Sequence, residues 1–247
     1  MERTRRIRIS SLPRVRKRSP AHPEPELEEP KLARVAVVLS GCGYLDGAEI
    51  HESVITLLAL DRAGAEVECL APDRAQRDVV DHRNGEAIPG AERNVLVESA
   101  RIARGEIRDV AEARVVDYDA VILPGGFGAA KNLSSFAVDG PECSIDPGVE
   151  RLLRDAHEAG KPIGLVCIAP AIGAKLFPDV ELTIGTDPET AGALEKMGAH
   201  HKSCPVDAFV CDDQARVVSC PAYMLGPGIK DVAVGIEKLV AEVLRLA

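Results

Sequence analysis

Three short stretches of this chain carry residue types able to do chemistry, at spacings that would let them work together. In Gly164-Leu165-Val166-Cys167-Ile168-Ala169-Pro170 an apolar run ends on a cysteine, and a helix-compatible stretch begins at once. A sharp strand-to-helix turn of this kind lifts its central side chain above a sheet, the layout of a nucleophile elbow. Amides at a helix start lower a thiol pKa, and the thiolate is the nucleophilic form. The same pattern also suits a buried structural cysteine closing a core strand. In Leu123-Pro124-Gly125-Gly126-Phe127-Gly128 the glycines let backbone N–H groups approach a ligand oxygen. The amides of Gly125 and Gly126, with that of Ile168, could form an oxyanion hole, although glycines after a strand also build ordinary turns. The third stretch, Asp46-Gly47-Ala48-Glu49-Ile50-His51-Glu52, opens a helix. Acids there complement the helix dipole, but Glu52 would face the same crevice as Cys167, with Glu49 as a candidate substrate-site neighbour. His51 is a candidate general base, yet on a helix its side chain points about 100° away from that of Glu52.

Such residues need a scaffold that brings strand ends to one edge. Val35–Leu39 reads as a buried strand stopped by Ser40-Gly41-Cys42-Gly43, and Ile50–Ala63 has helical apolar spacing closed by Gly64. Val67–Ala71 is a second strand, which completes a βαβ unit. Asn84-Gly85 reads as a tight turn between short strands, and Val95–Arg104 as a helix. Ala120–Leu123 is a strand running into the glycine loop. Pro147–Ala159 is a helix capped by Asp146, with Pro147 at its first position. Ile163–Val166 is the strand before Cys167. Val206–Val210 and Arg216–Ser219 are expected to pair as a hairpin across Asp212-Asp213-Gln214, and a last helix covers Ile229–Leu246. Strands alternating with helices predict an open, mostly parallel α/β sheet with helices on both faces. Ligands of such sheets bind beyond the carboxyl ends of the strands.

The 247 residues suit one α/β domain; 46% are apolar and only 3% aromatic, so Val, Ile, Leu and Ala must build the core. A net charge of −9 argues against nucleic-acid binding, and no stretch has the length of apolar residues a membrane span needs. Residues 1–31 are Arg-rich, then Pro- and Glu-rich, and are expected to form a disordered extension before a single domain over 32–247. The seven cysteines, Cys42, Cys69, Cys143, Cys167, Cys204, Cys211 and Cys220, form no CxxC pair. That usage fits free thiols in a reducing compartment, hence a cytoplasmic protein without a metal site. An Arg-rich, acid-poor start also fits a mitochondrial transit peptide.

Val35–Leu246 closely resembles the ElbB family, a branch of the PfpI-type group in the class I glutamine-amidotransferase-like superfamily. The resemblance rests on LSGCGYLDGAEIHESVITLLAL, RNVLVESARIARGEI, LPGGFGAAKNLS, CIAPA, LTIGTD and CPAYML, which span nearly the whole folded region. It implies a flavodoxin-like three-layer sandwich, a homodimer, a reactive Cys167 and an acidic partner for it at Glu52. Members are described as glyoxalases needing neither glutathione nor metal, and are linked by name to isoprenoid synthesis. Two departures stand out. Protease-like relatives carry a His directly after the elbow Cys, where this chain has Ile168. Glyoxalase relatives place a His shortly after the elbow helix, where this chain has Thr186-Asp187.

The expected reaction is conversion of a small 2-oxoaldehyde, glyoxal or methylglyoxal, to the 2-hydroxy acid without a cofactor. Cys167 adds to the aldehyde, the amides hold the oxyanion and Glu52 moves the proton between the substrate carbons. Two rivals share the same residues: a redox sensor using the Cys167 thiol, with Cys42 as a resolving partner, and a regulatory module that lost its chemistry.

Overall fold

Val35 and Val37 point to one side of the first strand, Ala36 and Val38 to the other, and all four are fully buried. Side chains alternate along a strand, so both faces of this one must be covered. A computed structural model describes residues 32–247, which form one compact unit. The expectations for residues 1–31 lie outside the described residues.

The strands are β1 (Arg34–Val38), β2 (Glu66–Ala71), β3 (Val80–Asp81), β4 (Glu86–Ala87), β5 (Ile107–Asp109), β6 (Ala120–Leu123), β7 (Ile163–Val166), β8 (Glu181–Leu182), β9 (His200–His201), β10 (Val210–Asp212) and β11 (Val217–Cys220). The α-helices are α1 (Ile50–Arg62), α2 (Val95–Ile102), α3 (Phe127–Lys131), α4 (Phe136–Asp139), α5 (Pro147–Glu158), α6 (Pro170–Leu176), α7 (Pro188–Lys196) and α8 (Ile229–Leu246). Seven strands form one sheet in the order β10-β11-β7-β6-β1-β2-β5. Every neighbouring pair is parallel except β10 with β11. Two small ribbons, β3-β4 and β8-β9, stand apart from it.

The sheet's alternation sorts its side chains into two cores. Ala36, Val38, Val121, Leu123, Ile163 and Leu165 pack with Leu152, Leu153 and Ala156 of α5 and with Ile172 of α6. Val35, Val37, Ala120, Ile122 and Val166 pack with Ile55 and Leu60 of α1 and with Val232, Ile236, Leu239 and Val243 of α8. Residues 32–247 therefore form the expected three-layer sandwich. Helix α5 starts as expected, with Asp146 accepting from the Gly148 and Val149 amides and Pro147 at the first position. Among the described residues no helix is long and apolar enough to cross a membrane.

One expected element moves. The hairpin to the edge of the sheet pairs Val210–Asp212 with Val217–Ser219, not Val206–Val210 with Arg216–Ser219. The backbone around Val206 is instead pressed against α8 at Gly235, where a Cβ would lie 2.3 Å from the Val206 carbonyl oxygen. Asp212 ends the strand rather than starting the turn, because its carboxylate accepts from the Gln214 and Ala215 amides and closes the loop. The edge strand β5, the ribbon β8-β9 and helices α3 and α4 are too short to carry a periodic apolar signal, whereas α7 turns Ala191 and Leu194, with Met197 at its end, to the core.

Candidate functional site

Because β1, β6, β7 and β11 run parallel, their carboxyl ends open on one edge of the sheet. Each delivers a loop to the same place. Strand β7 ends at Cys167, whose φ of 62° lies in the left-handed region that costs a side-chain-bearing residue about 1–2 kcal/mol. The turn is fixed from both sides: the Cys167 amide donates to the Cys220 carbonyl at 2.9 Å, and the Ala169 amide to the Val166 carbonyl at 3.0 Å. Pro170 then starts α6. This is the elbow the sequence suggested.

Opposite the sulfur lies Glu52, in the first turn of α1 and fully buried. Glu49 caps that helix by accepting from the Glu52 amide at 2.7 Å, and its own amide donates to the Gly125 carbonyl at 2.9 Å, which ties the helix start to the β6 loop. The Glu52 carboxyl contacts the Cys167 thiol and accepts two backbone N–H groups, from Gly125 at 2.9 Å and from Tyr223 at 3.1 Å. Burial is the main reason its pKa is pushed up to about 8, with the nearby Glu49 charge adding to it and the two amides opposing. Burial likewise raises the Cys167 thiol well above its ordinary value, and repulsion from Glu52 adds to that. Hydrogen bonds from the Gly126 and Ile168 amides act the other way and favour the thiolate. Burial thus favours the protonated, uncharged form of each group.

This geometry corrects one assignment. The Gly125 amide is taken by Glu52, so it is not open to a substrate oxygen. The donors aimed at the sulfur are those of Gly126 and Ile168. Gly125 has a different reason to be glycine: a Cβ there would sit 2.4 Å from the Cys167 Cβ and 2.6 Å from Glu52 Oε2. Any side chain would part the two groups.

Cys167 opens into a cavity of about 760 Å3, walled by Tyr44, Phe127, Phe136, Ile168, Tyr223 and Met224 among others. Glu49 and His51 stand in the wall. His51 is half exposed, and its Nδ1 lies 2.8 Å from the Tyr223 hydroxyl and 4.0 Å from Glu49 Oε1. Helical geometry explains the division of labour, with Glu52 turned inward to the sulfur and His51 outward to the mouth.

Cys42 and Asp187 are not brought into this group. Cys42 does not line the cavity; the charges acting on its thiol are those of Glu98, Arg101, Asp46 and Arg93. Asp187 caps α7, accepting from the Thr190 amide at 2.8 Å, and it is Thr190 that reaches the cavity wall. The residue that sequence reasoning passed over is Tyr223. It follows β11, a fourth strand end, and could have been found by applying the strand-end rule to every parallel strand. Away from this edge, Cys211, Asp213 and Glu242 approach one another, but Arg245 pairs with both acids, to Glu242 at 2.6 Å and Asp213 at 4.0 Å.

Residues 34–201 match the model of the DJ-1/PfpI family. The chain belongs to the DJ-1/PfpI family. It is 49% identical over 223 residues to human glutamine amidotransferase-like class 1 domain-containing protein 3, mitochondrial, with 87% of this chain and 83% of the relative aligned. The rat ES1 protein homolog, mitochondrial, is 48% identical over 223 residues, with 87% of this chain and 84% of the relative aligned. Among solved structures, an isoprenoid biosynthesis protein with an amidotransferase-like domain from Ehrlichia chaffeensis superposes with a TM-score of 0.81 at 40% identity. That match covers 87% of this chain and 99% of the other. Drosophila melanogaster DJ-1beta, at 22% identity and a TM-score of 0.52 over 88% of this chain and 96% of its own, shares the fold. Within this DJ-1/PfpI chain the Cys167–Glu52 contact stands without a histidine after the elbow, because Ile168 fills that place.

Proposed function

We propose that the protein is a cofactor-independent, glyoxalase-type enzyme that converts a 2-oxoaldehyde to the 2-hydroxy acid through Cys167. The observation that carries this reading is the contact between Cys167 and a buried Glu52 of raised pKa, with two amides directed at the sulfur. Loss of one proton from the pair lets the sulfur add to the aldehyde carbon, forming a C–S bond and an oxyanion that the Gly126 and Ile168 amides receive. Once that oxygen is protonated, Glu52 takes the proton from the carbon bearing sulfur and returns it to the neighbouring ketone carbon, through an enediol. The product of that transfer is a thioester of the 2-hydroxy acid. Water cleaves it, releasing the acid and regenerating the thiol. A carboxyl with a pKa near 8 is suited to both halves of the transfer at neutral pH.

The redox-sensor reading draws less support. Sensor cysteines are accessible thiols of low pKa, whereas Cys167 is 7% exposed and its pKa is raised. Nor does Cys42 stand in the cavity as a resolving partner. The turnover reading is tested by following hydroxy-acid formation from methylglyoxal in the absence of glutathione and metal. Product at a rate above the uncatalysed reaction is expected; none at any pH from 6 to about 9 would remove the enzyme assignment for this substrate.

The Ehrlichia relative, together with the motifs shared with ElbB proteins, supports placing this chain in that branch of the family. The human and rat relatives carry "mitochondrial" in their names, which favours the transit-peptide reading of residues 1–31 over a cytoplasmic location. A reporter fused after residue 31 is expected to enter mitochondria in eukaryotic cells. Cytosolic retention of the fusion would overturn that location.

A further inference from the structure

The cavity above Cys167 is far larger than glyoxal or methylglyoxal requires. Its volume of about 760 Å3 falls in the range, roughly 300–1,000 Å3, of pockets that enclose ligands with several ring- or branch-sized groups. The wall is also chemically one-sided. Phe127, Phe136, Ala137, Ile168 and Met224 present apolar surface, and Tyr44 and Tyr223 present aromatic rings. None of the described residues that line it is Lys or Arg, while Glu49 stands at the mouth beside His51. Lys131 approaches the Phe127 ring at 5.6 Å, but its ammonium is held by Asp78 at 2.9 Å and by the Leu45 carbonyl at 3.0 Å. An anionic substrate arm would therefore lose its water, meet Glu49 and find no free Lys or Arg among the described residues of the wall.

We propose that the substrate of Cys167 is an uncharged carbonyl compound bearing a bulky apolar substituent, aryl or branched alkyl, and that the Phe127–Phe136–Met224 wall selects it. The carbonyl end reaches the sulfur and the Gly126 and Ile168 amides, while the substituent covers the exposed face of Phe127. This rests on Cys167 being the reacting group, as in the proposed function, and narrows what it reacts with. Burying a ring against this wall removes about as much apolar surface from water as burying a Phe side chain, enough for tenfold or more in specificity.

The experiment separates this inference from the turnover reading. Cys167 is alkylated with 2-chloroacetamide, N-benzyl-2-chloroacetamide and chloroacetate. Each rate is read at that cysteine by mass spectrometry and divided by the rate for free N-acetylcysteine. The benzyl reagent is expected to exceed the parent amide by about tenfold or more on this scale, with chloroacetate falling below the parent amide. In Phe127→Ala, whose ring is exposed, and in Ala137→Trp, which fills the cavity, the benzyl-to-parent ratio should drop several-fold. A ratio equal to that of the free thiol, or a preference for chloroacetate, overturns the inference. In parallel, kcat/KM for phenylglyoxal is compared with that for methylglyoxal, and the aryl compound is expected to lead by about tenfold. Methylglyoxal equal or better would also overturn the inference while leaving the turnover reading intact. Benzyl-selective labelling with no turnover of either oxoaldehyde would sustain the inference and sink the glyoxalase reading.

Discussion

Hydroxy-acid formation is expected to fall roughly a thousandfold or more in Cys167→Ser, and by roughly a hundred- to ten-thousandfold in Glu52→Gln. The two losses have different causes, and alkylation tells them apart. Serine removes the polarizable thiolate, and its hydroxyl ionises too weakly to replace it. Glutamine keeps the nucleophile but removes the group that carries the proton from one substrate carbon to the next. It also removes the charge that raises the Cys167 pKa, although burial, the larger cause, remains. At pH values above the Glu52 pKa of about 8, Cys167 in Glu52→Gln should therefore alkylate as fast as in the wild type or faster. Full turnover in Glu52→Gln would exclude the proton-transfer role. The wild-type pH profile carries the same information. The uncharged pair must lose one proton before sulfur can add, so kcat/KM should rise with pH. Its apparent pKa, near 8, would belong to the pair and not to either residue alone. A flat profile from pH 6 to about 9 would contradict this.

Much of that site could be read from the residues, and the part that could not has a physical reason. A buried apolar strand running into Cys167 and then Pro170 is a local pattern, so the elbow was legible in one short segment. The left-handed backbone at Cys167 confirms it. The glycine loop was legible as a close approach, but not what it approaches. Only the fold shows that the Gly125 amide is committed to Glu52 and that its missing Cβ makes room for the Cys167–Glu52 contact. The choice between His51 and Glu52 turned on helix rotation, which depends on how α1 packs against α8. Tyr223 lies beyond β11, a strand end the reading did not follow, and its backbone N–H to Glu52 leaves no mark on residue type, although its ring and hydroxyl also reach the cavity and His51. Parallel order in the sheet was foreseeable from alternating elements. The starting point of β10 was not, since it depends on the approach of Val206 to Gly235, across the fold.

The arrangement that makes Glu52 useful also makes it a liability, and its cost should be readable against pH. In the folded protein its carboxyl holds a proton up to about pH 8, whereas in the unfolded chain it loses that proton near 4.5. Between those values the native state binds one proton more than the unfolded state. Stability must therefore fall as pH rises from about 4.5 to about 8, and then level off. Because the group is wholly buried, the loss across this window should reach a few kcal/mol. Glutamine does not titrate, but it is not a copy of the protonated acid. Both Glu52 oxygens accept backbone N–H groups, so the amide NH2 of Gln must face either the Gly125 or the Tyr223 donor. That mismatch should cost about 1–3 kcal/mol at every pH. Glu52→Gln is thus expected to be less stable than the wild type near pH 4.5, and equal to it or more stable near pH 8. Urea titrations of both proteins at several pH values up to about 8 check this while the thiol stays protonated in both states. A stability difference independent of pH would mean that the buried carboxyl is already ionised at neutral pH. The proton transfer assigned to it would then have to begin from the carboxylate.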